Sequence, residues 1–84
     1  MASRKPEKVF RIGFVSASVF GHSVDTDGGS RIIRSVSVQK RYMDGDEAKY
    51  TSSFNLAELP QAMRAMSLAQ AHIEANEAEV SLTD

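Results

Sequence analysis

The chain has no cysteine and no tryptophan, and only two of its 84 residues are proline. Without cysteine there is no disulfide framework and no thiolate metal site, and a reducing compartment suits the chain. No apolar run approaches the roughly 20 residues that a membrane-spanning helix needs. The opening MASRKPEK is polar and lacks the apolar centre of a secretory signal. The expectation is a cytoplasmic protein. Length allows one small domain. Such a domain buries only about 60% of its unfolded surface, so its core is thin and association with a second copy helps it.

Signatures of catalysis are also missing. His22, Ser23 and Asp25 lie close together, but no nucleophile elbow or oxyanion site accompanies them. Asp25-Thr26-Asp27-Gly28 starts like a calcium loop, yet its twelfth position is Val36 where a glutamate is required. There is no P-loop and no dinucleotide fingerprint. The expectation is a protein that is not an enzyme and carries neither metal nor cofactor.

What is present is a split in charge. Residues 1–43 hold eight Lys/Arg against three Asp/Glu, net +5, and residues 44–84 hold two against eight, net −6. A basic half followed by an acidic one points to a polyanion-binding face with an acidic tail. Residues 1–7 read as a flexible basic arm, 8–75 as the folded domain and 76–84 as a disordered acidic tail.

The run Arg31 to Met43, RIIRSVSVQKRYM, alternates as a long strand. Val36 and Val38 fall on one side, with Ser35, Ser37, Gln39 and Arg41 on the other. Upstream, Phe10, Ile12 and Phe14 share one parity, and then Val15, Ala17 and Val19 take the opposite one. Lys8 to Phe20 is therefore two strands, or one bent strand with its bulge or bend at Gly13. Residues 21–30, GHSVDTDGGS, read as a turn region, and Asp44-Gly45 marks a second hairpin. Lys49 to Phe54 reads as the fourth strand.

Asn55 and Glu58 have the spacing of a capping box that opens a helix from about Leu56 to Ala75. Pro60 predicts a distinct first turn. Leu59, Ala62, Met66, Ala69 and Ile73 form an apolar stripe at helical spacing, with Ala65 and Leu68 beside it. So broad an apolar face predicts a partner subunit meeting Met63, Met66, Leu68 and Ile73, with the methionines as adaptable packing. His72 lies within this helix and reads as a surface or interface residue.

Proteins that hold unpaired nucleic acid combine cations for the backbone with aromatic rings on which bases stack. Phe20 and Tyr42 are the candidate platforms, although strict alternation puts Tyr42 on the side of Val36 and Val38. Arg11, Arg34, Lys40, Arg41 and Lys49 are candidates for phosphate. Ser16, Ser18, Ser35, Ser37 and Gln39 offer hydrogen bonds to backbone or base edges.

This layout, with Phe10-Arg11-Ile12-Gly13, the strand ending Arg41-Tyr42-Met43-Asp44-Gly45-Asp46-Glu47, and Ser53-Phe54-Asn55-Leu56 entering the helix, resembles the positive cofactor four family of transcriptional coactivators and its bacterial and phage relatives. The resemblance spans about Phe10 to Ile73. It implies an α+β fold of four curved antiparallel strands followed by one long helix, paired as a homodimer through that helix. It also implies single-stranded DNA lying across the sheets. The positions matching the family's stacking aromatics are Phe20 and Tyr42, with Gln39, Arg41 and Lys49 gripping the backbone. Two departures stand out. The fourth strand carries one lysine where eukaryotic members have a basic cluster, and a tyrosine stands where an indole is familiar.

The expected function is single-stranded DNA binding with low sequence specificity, in transcription or in replication and recombination. RNA remains open as the polymer, and the acidic tail is a candidate contact for a protein partner. The alternative is a protein-interaction module of the same fold that binds no nucleic acid.

Overall fold

The computed structural model describes residues 5–77. Four strands, β1 (Lys8–Ile12), β2 (Val15–Thr26), β3 (Gly29–Asp44) and β4 (Glu47–Thr51), precede one helix, α1 (Leu59–Glu77). The strands form a single antiparallel sheet in the order β1-β2-β3-β4. The expected α+β architecture, four antiparallel strands and then a helix, is the one observed. No helix among the described residues is long and apolar enough to cross a membrane.

The parity change near Gly13 is a reversal of chain direction. Ile12 pairs with Val15, so Gly13-Phe14 is a two-residue hairpin turn, and Gly13 has φ 59°. Asp44 pairs with Glu47 around Gly45-Asp46, with Gly45 at φ 64°. A glycine with positive φ at the first turn position matches the twist of the flanking strands. Two-residue turns leave no slack, so each one sets the register of its whole hairpin.

Residues 21–30 depart from their reading as a turn region. β2 continues to Thr26 and β3 begins at Gly29, so only Asp27-Gly28 turns. Thr26 Oγ1 donates to the Gly29 carbonyl at 2.8 Å and closes it. These polar residues do not alternate in hydropathy because neither face of this part of the ribbon joins the core. Their strand form comes from the ladder between β2 and β3.

The capping box forms as expected. Asn55 N donates to Glu58 Oε1 at 2.9 Å, and Glu58 N donates to Asn55 Oδ1 at 3.1 Å. Residues 56–58 make a separate turn and α1 starts at Leu59, with Pro60 early in the helix where its missing N–H costs little. The helix then lies on one face of β1, β2 and β3. The core consists of Val15, Ala17 and Val19 from β2 against Ala62, Ala65 and Ala69 from α1. Phe10, Ile12, Val36, Val38, Phe54 and Ile73 pack around it.

The expected stripe is corrected here. Ala65 sits at its centre, while Leu59 and Met66 are 41% and 52% exposed. Three alanines one helical turn apart let the backbone approach the valines closely. The long side chains are displaced to the flank, where Met63, Met66 and Ile73 line a groove of about 510 Å³ with Val36, Ser67, Gln70 and Glu74. Leu68 follows Met63 by five residues, about 140° around the helix, and so lies on the other flank, half-buried. The groove thus brings together Met63, Met66 and Ile73 and leaves Leu68 outside it.

The ends of the domain are tied together. Glu7, assigned to the arm, donates its N–H to the Val19 carbonyl at 2.7 Å. Its carboxylate accepts from Arg34 Nε at 3.0 Å and lies 2.6 Å from His72 Nε2. The bonds from His72 and Arg34 hold the Glu7 carboxyl below the usual carboxylate range. Arg34 also reaches Glu77 at 3.1 Å, and these two carboxylates raise its own pKa. The helix continues past Ala75 to Glu77. The remaining arm, 1–4, and tail, 78–84, lie outside the described residues.

Candidate nucleic-acid interface

The register decides which strand residues share a face. Phe10, Ala17 and Val38 stand in one cross-strand row, and Ile12, Val15 and Lys40 in another; both face α1. The alternate rows face away from the helix. They are Arg11, Ser16 and Gln39; Val9, Ser18 and Ser37; Phe20 and Ser35; and Arg41 opposite Tyr50.

Among the described residues no strand acid lies on this far face. The strand acids Asp25, Asp44 and Glu47 pair with Ser30, Glu47 and Asp44, all of helix-side parity. The cations divide in the same way. Arg34 is bound to Glu7 and Glu77, Lys40 Nζ sits 2.7 Å from Glu58, and Lys49 Nζ is 2.9 Å from Asp44, all on the helix side. Arg11, Arg31 and Arg41, on the far face, make no ion pair among the described residues. A guanidinium with no carboxylate beside it keeps its full charge for an incoming anion, and phosphate is the anion its planar fork fits best.

The twelve residues named from sequence therefore fall into two groups. Arg11, Ser16, Ser18, Phe20, Ser35, Ser37, Gln39 and Arg41 share the acid-free face. Arg34, Lys40, Tyr42 and Lys49 belong to the helix side by parity. Lys40 is engaged by the capping box: its ammonium and the Asn55 N–H lower the Glu58 pKa. Tyr42 keeps the parity of Val36 and Val38, as alternation requires, but is 41% exposed because α1 stops short of it. It lines a pocket of about 250 Å³ with Lys40 and Glu58.

Two aromatic residues join the far face that sequence reasoning did not select. Tyr50, 60% exposed, stands opposite Arg41. Phe14, 72% exposed at the first hairpin turn, accepts the Arg41 backbone N–H at its carbonyl, 2.9 Å away. Together with Arg11, Ser16 and Arg41 they line a hollow of about 150 Å³. Two rings and two guanidinium groups around a shallow depression can hold a flat heterocycle and its attached phosphate. The signal for Tyr50 was in the chain. A two-residue turn at Gly45-Asp46 makes paired positions sum to one constant, and that constant sets Tyr50 against Arg41.

No family model, no curated protein and no solved structure matches this chain.

Proposed function

We propose that this protein binds single-stranded DNA with little sequence preference, as a homodimer, holding the strand by charge and stacking and making or breaking no bond. The observation that carries this reading is the segregation of charge across one thin sheet. Among the described residues every strand acid and every ion-paired cation lies on the helix side, while Arg11 and Arg41 make no ion pair and stand among hydroxyls, an amide and rings on the other. Unpaired bases expose their π-faces to Tyr50, Phe14 and Phe20, and the arginines take the phosphates. Stacking accepts any base, which is why specificity is low. A duplex hides those π-faces, so it gains only the electrostatic part. The cytoplasm of a cell handling DNA in transcription, replication or recombination is the setting this activity fits.

The helix-side groove supports the dimer. Met63 and Met66, 67% and 52% exposed, leave an apolar flank that a second copy would cover.

A salt titration of oligo-dT binding beside duplex DNA of equal length tests the function. Arg11 and Arg41 predict a slope of log K against log salt near −1.4 for each protomer engaged. Tyr50→Ala should weaken oligo-dT binding by about 1 kcal/mol or more, whereas Tyr42→Ala should have a smaller effect. Equal or absent affinity for both polymers would remove the proposal and favour a protein-binding module.

A further inference from the structure

Beyond the row of Lys8 and Val19 the edge strand β1 ends. β2 and β3 run on as a two-stranded ribbon, from Phe20 opposite Ser35 to the turn at Asp27-Gly28. An isolated ribbon of this kind is only marginally stable, and its two faces differ. The helix-side face carries Ser23, Asp25, Ser30 and Ile32. The other carries His22 opposite Ile33 and Val24 opposite Arg31, and among the described residues no strand acid interrupts this face of the sheet. Ile33 is 40% exposed there. Arg31, with no ion pair among the described residues, lies ten positions from Arg41 on the same strand, about 34 Å away.

We infer that the ribbon is a second contact segment for the same polynucleotide, in which Arg31 meets a phosphate and Ile33 offers an apolar surface to a base. The inference rests on the single-strand reading above and extends it to residues outside the sheet body. The occupant is a single strand because the surface is a narrow strip with arginines at both ends and, among the described residues, no strand acid between them. Arg11 and Arg41 anchor the strand at one end, the serines of β2 and β3 track it, and Arg31 holds it at the other. An acidic protein segment would also be drawn to Arg31, but it has no use for the run of hydroxyls and rings between the two ends.

The test compares Arg31→Gln, Arg31→Lys, Ile33→Ser and Arg41→Ala with the unaltered protein, each binding a long oligo-dT over a range of salt. Circular dichroism confirms that each variant keeps its strands. The expected result for Arg31→Gln is a loss of affinity of roughly fivefold or more, with a salt slope shallower by about 0.7 for each lost phosphate contact. Arg31→Lys should keep the slope. Ile33→Ser should weaken binding with the slope unchanged. If Arg31→Gln and Ile33→Ser bind as the unaltered protein does while Arg41→Ala is impaired, the ribbon is no contact segment and the sheet-body reading survives. If the unaltered protein does not bind oligo-dT at all, both readings fall.

Discussion

Lys40 and Arg41 are neighbours in the chain and do different work. Strand alternation sends Lys40 to the helix side, where Glu58 is already committed to the Asn55 N–H. The carboxylate near the start of a helix interacts favourably with its exposed N–H groups, and the ammonium joins that cluster to β3. Arg41 emerges on the other face and makes no ion pair among the described residues. The Glu58 contribution depends on pH. Lys40 and then the Asn55 N–H depress its folded-state pKa, so the stabilisation is fully present above the unfolded value and is lost as pH falls through the folded one. Glu7, depressed by His72 and Arg34, acts with the same sign. We expect Glu58→Gln to lower stability at neutral pH, and the gap from the unaltered protein to close once pH falls well below the ordinary glutamate value of about 4.3. Urea titrations at both ends of that range measure this. A gap of equal size at both would show that the ion pair contributes nothing.

At the scale of elements, the helix is positioned by what it lacks. Ala62, Ala65 and Ala69 are almost fully buried because nothing beyond Cβ separates the helix from Val15, Ala17 and Val19. Hydropathy periodicity weighs Met66 and Leu59 above alanine and so rotates the expected stripe toward them. Size reverses that order, because close approach rewards the smallest side chains. Ala65→Leu should therefore destabilise the protein by about 1–3 kcal/mol through overpacking, read from the urea midpoint at unchanged slope. A substitution tolerated without loss would mean that the helix sits farther from the sheet than the alanine seam requires.

As a whole the molecule is thin and drawn out. Its extents are 55 × 37 × 15 Å and its radius of gyration is 16.2 Å, against about 12 Å for a compact chain of this length. Among the described residues the buried core holds only valines and alanines. So small a core gives little stability alone, and the uncovered groove beside Met63 and Met66 is where more apolar surface is available. We expect the unaltered protein to sediment as a dimer and Met63→Glu/Met66→Glu to sediment as a monomer. Oligo-dT affinity should drop by about tenfold or more in the variant, because two linked surfaces bind one strand more tightly than either alone. A monomeric unaltered protein would end the dimer proposal.

The amino-acid sequence alone determined the element order, the capping box, the hairpin at Asp44-Gly45 and the face shared by Ser35, Ser37, Gln39 and Arg41. These depend on local chemistry: side-chain alternation, turn glycines and a cap three residues from its partner. Only the tertiary structure decided that the ribbon continues through residues 21–30, that Ala65 centres the helix, and that Arg34, Lys40 and Lys49 are held by acids. Those outcomes depend on which chain segments meet, and a carboxylate 27 residues away, as Glu7 is from Arg34, leaves no mark in the local pattern. Charge counted along the chain cannot separate a bound cation from an available one, because that distinction arises only when the sheet acquires two faces and the helix covers one of them.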